Sequence, residues 1–200
     1  MNEKSLLIVF AKAPVPGFAK TRLARTIGFE AAASLAGRML THTLASAIAS
    51  SIGPVELCCA PDVTHEQFQL AGVSLSAQGD GNLGERMARS FARGLENYRR
   101  VVLIGTDAPM LDASVLRAAA AALKSHDAVI APAHDGGYVL VGLSQPAPGI
   151  FQEIEWSSSR VMAQTRMRIA SMKLSLYELP ALHDIDEPED LLHLPPGWLA

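Results

Sequence analysis

Five short apolar runs alternate along the chain with longer segments of helical periodicity, and this alternation constrains the fold more than any other feature. The runs are residues 6–10, 55–60, 101–104, 128–131 and 138–142. Between them, residues 29–50 and 83–98 carry apolar side chains at three- and four-residue steps, and Asp112 can cap a helix through residues 116–123. Strands alternating with helices predict an α/β fold with a mostly parallel sheet, flanked by helices on both faces.

Length and composition restrict the possible functions. The chain has 200 residues, 49% of them hydrophobic, so we expect a single domain spanning residues 1–200. A net charge of −3 provides no general attraction for nucleic acid or anionic membranes, so any anion site must be local. Because the sequence has neither a long apolar run nor a signal-peptide cleavage site, we expect a soluble, cytoplasmic protein. Adjacent Cys58 and Cys59 suit core thiols better than a metal or redox pair.

Three segments follow predicted strands and carry polar residues. In α/β sheets, ligands bind beyond the carboxyl ends of the strands. The segments that occupy those positions read AKAPVPGFAKTRL, GTDAPML and PAHDGGY. We therefore expect a functional site to be built from these three loops.

The first loop has the features of a phosphate clamp. Pro14 and Gly17 shape it, Lys12, Lys20 and Arg22 supply positive charge, and its backbone N–H groups could point inward. It is not a P-loop, because that motif needs contiguous Gly-Lys-Ser/Thr. The alternative is a solvated basic loop.

The second loop places Asp107 directly after the buried run VVLIG. One carboxylate at a sheet edge suits Mg²⁺, which keeps most of its waters and takes one or two carboxylates plus substrate phosphates. Without a cation nearby, we expect this carboxylate to be poorly solvated and unfavourable for stability. The alternative is an aspartate that caps a local turn.

The segment HDGGY admits two interpretations. Asp-Gly and Gly-Gly pairs are ordinary hairpin chemistry, so the segment could be a simple turn between two strands. Alternatively, Gly136 and Gly137 allow the backbone to approach a ligand that Asp135 or Tyr138 contacts.

Near the C-terminus, the segment HDIDEPEDLLHL contains several acidic residues. Pro188 can start a last helix, with Glu189 and Asp190 in its first turn. Asp184 and Asp186 precede that helix and are freer to take part in chemistry.

Taken together, FAKAPVPGFAKTRL, QGDGNLGERM, GTDAPML, HDGGYVLVGL and DIDEPEDL resemble the DUF2064 family of candidate glycosyltransferases, related to the nucleotide-diphospho-sugar transferase (GT-A) superfamily. The resemblance spans nearly the whole chain. Lys12 and the element Lys20-Thr21-Arg22-Leu23 are also similar to the phosphate loop of phospholactate guanylyltransferases. The resemblance implies a GT-A-like fold, a nucleotide and a small-molecule acceptor as partners, and Mg²⁺ or Mn²⁺ as cofactor.

The resemblance also implies roles for individual residues. The catalytic group would be Lys20, Arg22, Asp107 and Asp135, and the metal ligands Asp107 with Asp184 or Asp186. Nucleotide contacts would come from Ala11, Lys12, Pro14, Gly17, Lys20, Arg22, Gln78, Asn82, Gly84 and Thr106. Acceptor contacts would come from Gly136, Gly137, Tyr138, Trp156 and Ser157. Two alternatives stay open, because Asn82 suits a helix cap and Trp156 a core anchor.

Two departures from family patterns bear on the reaction. Glycosyltransferases of this fold typically carry Asp-x-Asp where this chain has Gly105-Thr106-Asp107, and a single Asp is more like nucleotidyltransferases. The first loop also lacks the G-x-G-x-R pattern of sugar-nucleotide pyrophosphorylases. The leading expectation is nucleotidyl transfer from a nucleoside triphosphate to a small phosphorylated acceptor, with release of pyrophosphate. Glycosyl transfer from a nucleotide sugar and a non-catalytic nucleotide-binding module are the alternatives.

Overall fold

The computed structural model describes residues 2–69 and 73–199, and within them seven strands form one sheet. The strands are β1 (Asn2–Lys12), β2 (Val55–Ala60), β3 (Ser74–Ala77), β4 (Tyr98–Ile104), β5 (Ala128–Pro132), β6 (Tyr138–Leu143) and β7 (Leu176–Glu178). The helices are α1 (Thr21–Ile27), α2 (Phe29–Ser50), α3 (Leu83–Asn97), α4 (Ala113–Ala122) and α5 (Val161–Ser171). Short 3-10 helices occur at Glu66–Phe68, Pro148–Phe151 and Pro188–His193.

The strand order is β3-β2-β1-β4-β6-β5-β7, and strand directions define one functional edge. Strands β1, β2, β3 and β4 pair in parallel, as do β5 and β7. Only β6 runs against its neighbours β4 and β5, because the turn at residues 133–137 reverses the chain between β5 and β6. The carboxyl ends of β1, β4, β5 and β7 therefore lie at the same edge of the sheet.

Alternate residues of the central strands pack on opposite faces of the sheet. Leu7 belongs to a buried cluster with side chains from α2 and α4, whereas Ile8 belongs to a cluster with side chains from α3 and α5. Both strand residues are fully buried. Fully burying such a side chain contributes roughly 1.5–3 kcal/mol. This confirms the predicted mostly parallel sheet with helices on both faces.

The two cysteines also lie on opposite faces of β2. Cys58 and Cys59 are free thiols and fully buried. Burial, and then the neighbouring Cys58, raise the pKa of Cys59 to about 12, so this thiol is not a reactive thiolate. The prediction of core thiols is confirmed.

The elements with clear periodicity were predictable, whereas short elements were not. All five predicted strands and the helices α2, α3 and α4 are present. Sequence reasoning missed β3 and β7, which have four and three residues and lie at the two ends of the sheet. Such short, partly exposed edge strands carry too few alternating apolar residues to be recognised. Across residues 2–69 and 73–199, none of the helices combines the length and apolar character that crossing a membrane requires.

Candidate active site

Four chain segments meet at the edge where β1, β4, β5 and β7 end. They are the β1 loop (residues 13–20), the β4 loop (residues 105–112), the β5–β6 turn (residues 133–137) and the C-terminal arm (residues 179–194). The arm is bound to the other segments through its backbone. The Ile185 N–H donates to the Asp107 carbonyl oxygen at 2.8 Å, and the Leu182 N–H donates to the Pro132 carbonyl oxygen at 2.9 Å.

Lys20 is the buried cation at the centre of this edge. It precedes α1 in the left-handed backbone region, with φ 49°, and only 5% of its side chain is exposed. Its ammonium forms an ion pair with the Asp107 carboxylate and donates to the Ile185 carbonyl oxygen at 2.6 Å. Lys20 is therefore not a solvated loop residue, and it connects the β1 loop, the β4 loop and the C-terminal arm.

Arg22 provides a second cation, in the first turn of α1. Its Nη1 lies 2.9 Å from a carboxylate oxygen of Asp186 and 3.2 Å from one of Glu187, at a half-exposed position. Asp186 also donates its backbone N–H to the Asp190 carboxylate at 3.0 Å. Asp186 thus forms part of an ion pair with a candidate phosphate-binding residue. Lys12, the third cation of the predicted clamp, is exposed.

Asp107, the partner of Lys20, belongs to a group of carboxylates around Asp184. Burial, followed by the charge of Asp135 and smaller contributions from Asp190 and Asp107, raises the pKa of Asp184 to about 6. The Asp135 carboxylate accepts the Gly137 backbone N–H at 2.7 Å, which orients it within the turn. A buried carboxylate whose pKa is raised by neighbouring carboxylates occupies a position where an added cation is stabilising. Asp107, Asp135 and Asp184 therefore form the acidic half of the site.

The acidic half suits a hard divalent cation only in part. In the described portion of the chain, no group of three or more His, Cys, Asp or Glu side chains could hold a metal ion by itself. The predicted ligands Asp107, Asp184 and Asp186 consequently do not form a ready-made set, and Asp186 is engaged by Arg22. Mg²⁺ needs only one or two carboxylates when substrate phosphates and water complete its shell. Asp107 and Asp184 fit that requirement.

The backbone of the β1 loop is partly used within the loop itself. The N–H groups of Phe18 and Ala19 both donate to the Val15 carbonyl oxygen, at 3.0 and 3.1 Å. The sequence analysis allowed the backbone N–H groups of this loop to bind phosphate, but these two are already hydrogen-bonded within the loop. The cationic side chains, rather than a ring of amides, are thus the main anion-binding groups that the loop offers.

Three predicted nucleotide contacts have structural partners instead. The buried Gln78 amide donates to the carbonyl oxygens of Ala11 and Cys58, at 3.2 and 3.1 Å, and links β1 to β2. Asn82 caps α3 in a reciprocal capping box with Glu85, as the alternative interpretation expected. A Cβ at Gly84 would lie 2.7 Å from the Phe151 carbonyl oxygen, so close packing explains this glycine. Thr106, in the β4 loop, is half-buried.

The predicted acceptor contacts lie around the β5–β6 turn. Gly136 has φ +94°, and a Cβ there would lie 2.2 Å from the Ser159 carbonyl oxygen. The glycine therefore permits close contact with the protein's own backbone. A close approach to a ligand was one of the two interpretations of this segment in the sequence analysis. The Tyr138 and Trp156 rings pack edge to face with centroids 6.4 Å apart, and burial raises the pKa of Tyr138. Trp156 is a half-buried anchor, and Ser157 is exposed beside it.

Sequence reasoning missed a stack of three histidine rings beside the carboxylates. The His183 ring lies between His134, at a centroid distance of 4.0 Å, and His193, at 3.6 Å. Burial, followed by the neighbouring rings, lowers the pKa of His183. The one sequence signal was that His134 and His183 each directly precede an aspartate of the site.

Comparison with solved structures defines the class of protein. The chain superposes with TM-score 0.88 on a candidate nucleotide-diphospho-sugar transferase from Desulfovibrio desulfuricans G20, at 30% identity over 95% of this chain and 85% of that one. CMP:2-keto-3-deoxy-manno-octonic acid synthetase complexed with CTP superposes with TM-score 0.62, at 10% identity over 96% of each chain. The manganese complex of Rv0371c from Mycobacterium tuberculosis H37Rv gives 0.60, at 14% identity over 96% of this chain and 98% of that one. The fold is that of the GT-A-like nucleotide-dependent transferases, as predicted.

The sequence itself identifies the family. Residues 43–158 match the family described as "uncharacterized protein conserved in bacteria (DUF2064)". No curated protein matches the sequence. The chain belongs to the DUF2064 family, and its relationship to a transferase superfamily is confirmed.

Proposed function

We propose that the protein is a divalent-metal-dependent nucleotidyltransferase that acts on a nucleoside triphosphate and a small phosphorylated acceptor. The observation that carries the proposal is the ion pair of Lys20 with Asp107 at one edge of a GT-A-like sheet, where the Asp107 charge also acts on the partly buried Asp184. This arrangement puts a buried cation and a group of carboxylates that a cation would stabilise beyond the carboxyl ends of the strands, where such sheets bind ligands. The proposed substrates place the protein in the cytoplasm, where nucleoside triphosphates are made and used.

Lys20 and Arg22 form the phosphate side of the proposed site. Their present partners are Asp107, Asp186 and Glu187. An incoming triphosphate offers more negative charge than these carboxylates and can replace them. A charge-assisted hydrogen bond to phosphate contributes roughly 1.5–3 kcal/mol, and it contributes most where water is excluded, as at Lys20.

Asp107 and Asp184 form the metal side of the proposed site. A bound Mg²⁺ or Mn²⁺ would neutralise charge on the triphosphate, and these two carboxylates are the residues suited to hold it. Release of Asp107 from Lys20 would make the carboxylate available at the same time as the ammonium becomes free for phosphate. The ion pair thus couples the two halves of the site.

The proposed reaction requires little covalent chemistry from the chain. An oxygen of the acceptor phosphate attacks the α-phosphorus, a new P–O bond forms, the bond from the α-phosphorus to the bridging oxygen breaks, and pyrophosphate leaves. Positioning and charge neutralisation dominate such transfers. This is consistent with a site made of cations and carboxylates. The sequence places neither a Cys nor a Ser in a pattern typical of an activated nucleophile.

Glycosyl transfer from a nucleotide sugar is the second candidate. It is favoured by the 30% identity to a protein described as a candidate nucleotide-diphospho-sugar transferase. In that reaction Asp135, held by the Gly137 N–H, would serve as the base that accepts the acceptor proton. The single aspartate in Gly105-Thr106-Asp107 favours nucleotidyl transfer instead.

Ligand screening and product analysis test the proposal. Nucleoside triphosphates and nucleotide sugars are screened by thermal shift with and without Mg²⁺ or Mn²⁺, because a ligand that binds only the folded state raises the melting temperature. Turnover is then followed by ³¹P NMR with phosphorylated sugars and phosphorylated hydroxy acids as acceptors. Pyrophosphate release supports nucleotidyl transfer. Nucleoside diphosphate release from a sugar donor supports the second candidate, and binding without either product supports a non-catalytic module.

A further inference from the structure

The three stacked imidazole rings come from separate parts of the candidate site. His134 lies in the β5–β6 turn, His183 in the C-terminal arm, and His193 at the end of the 3-10 helix Pro188–His193. The centroid distances are 4.0 and 3.6 Å, and the interplanar angles are 23° and 14°. His134 and His193 are exposed, whereas the central His183 is half-buried. The stack is therefore a side-chain clamp across the arm.

The clamp lies between two backbone anchors of the arm, because the Leu182 N–H donates to the Pro132 carbonyl oxygen at 2.9 Å and the Ile185 N–H donates to the Asp107 carbonyl oxygen at 2.8 Å. A single isolated β-bridge joins Ala133 to Leu182, and the His134 N–H donates to the Leu182 carbonyl oxygen at a long 3.3 Å. His134 and His183 are each followed by a carboxylate of the acidic half, Asp135 and Asp184 respectively.

The carboxylates that the clamp brings together repel one another. Asp184 is disfavoured as an anion by its burial and then by Asp135, with smaller contributions from Asp190 and Asp107. Between the backbone anchors at Leu182 and Ile185, a shift of residues 183–184 would relieve this repulsion by moving the Asp184 carboxylate away from Asp135. The ring stack opposes that movement, because it would expose the face of His183 that packs on His134, while His193 supports the opposite face from within the arm.

We propose that His183 is a positioning residue whose ring, held between His134 and His193, keeps Asp184 beside Asp107 and Asp135 for binding of a metal–nucleotide complex. The inference rests on the proposed function and adds residues that the family resemblance did not supply. The flat faces of the rings make the contacts, so the role requires an aromatic ring rather than an imidazole charge or a ligand nitrogen.

Variants of His183 separate this role from others. The probe is Mn²⁺ together with whichever nucleoside triphosphate most raises the wild-type melting temperature, measured by calorimetry and by electron paramagnetic resonance of Mn²⁺. His183→Ala should weaken Mn²⁺-dependent binding by about tenfold or more, because small displacements of positioning groups have large effects. Nucleotide binding without metal should be unchanged. His183→Phe should restore most of the loss, and His193→Ala should resemble His183→Ala.

His65→Ala is the matched control, because His65 packs its ring on Phe68 at 5.5 Å in a segment outside the candidate site. It should bind like wild type. The inference is overturned if His183→Ala binds Mn²⁺ and nucleotide like wild type, if it loses metal-free and metal-dependent binding equally, or if His183→Phe fails to restore binding. If wild-type protein binds neither Mn²⁺ nor any nucleotide, the proposed function itself is overturned and the inference with it.

Discussion

Lys20 and Asp107 neutralise each other across two loops, with the lysine side chain 5% exposed and the aspartate side chain 50% exposed. The ion pair joins the residue predicted to bind phosphate to the residue predicted to bind metal. The expectation that the Asp107 carboxylate is poorly solvated and unfavourable without a metal is therefore wrong, because its side chain is half exposed and Lys20 supplies the cation. Because the buried partner is the lysine, it is the ammonium that depends on the pair for its charge compensation.

Replacement of Asp107 by Asn tests this dependence. Asp107→Asn should lower the free energy of unfolding by roughly 1–3 kcal/mol, because the buried Lys20 ammonium loses its counter-charge. It should also abolish metal-dependent nucleotide binding. Urea unfolding and calorimetry measure the two effects, with exposed Asp80→Asn as the control. Wild-type stability combined with wild-type metal dependence would show that Asp107 serves neither role.

The two cations of the phosphate side should differ in their effects. Arg22→Ala should reduce nucleotide affinity by about tenfold, the equivalent of one charge-assisted hydrogen bond, while changing stability little, since its ion pairs are half-exposed. Lys20→Ala should reduce both affinity and stability. Arg25→Ala, an exposed cation in the last turn of α1, is the control. Equal nucleotide affinity in all three variants and wild type, measured by calorimetry, would exclude the phosphate clamp.

The raised pKa of Asp184 predicts a pH dependence of stability. The pKa is about 6 in the folded state against the ordinary value of 3.8 for an aspartate, so the folded protein binds this proton more tightly than the unfolded chain does. The stabilisation is complete below the unfolded pKa and is lost as pH rises from about 4 to about 6. Asp184→Asn should remove this decline, so that the variant gains stability relative to wild type across that interval.

Urea unfolding between pH 4 and pH 7.5 measures this difference. Asp127→Asn is a control of opposite sign, because hydrogen bonds from Ser175 lower the pKa of Asp127, whose stabilisation is lost as pH falls. Parallel pH profiles for wild type and Asp184→Asn would mean that Asp184 is not desolvated beside the other carboxylates.

Two glycines with positive φ should respond differently to alanine. Gly136→Ala should destabilise the protein by roughly 2–4 kcal/mol, since backbone strain adds to a clash with the Ser159 carbonyl oxygen. Gly17→Ala meets no atom within 4 Å and carries only the strain of its φ of +80°, so a loss of roughly 1–2 kcal/mol is expected. Thermal unfolding compares them. A smaller effect at Gly136 than at Gly17 would contradict the close approach of the turn to Ser159.

The candidate site was predictable in its location and only partly in its membership. Because ligands collect where parallel strands end, the loops after β1 and β4 and the turn after β5 could be named before their positions were known. Lys20 and Asp107 were identified in this way and lie in contact. The hydrogen bonds of Gln78 could not be predicted, because its amide donates to carbonyl groups of two strands that only the folded sheet brings together.

Local sequence by itself determined the central strands, the helices α2, α3 and α4, and the polar loops that follow the strands. Those features depend on side-chain periodicity over a few neighbouring residues, which is present in the local sequence whatever the rest of the chain does. The tertiary structure alone decided that Asp186 pairs with Arg22 while Asp184 faces Asp135, and that His183 lies between His134 and His193. These choices depend on strand order and on how the C-terminal arm returns to the sheet edge, which bring together residues too distant in the chain for any local pattern to connect.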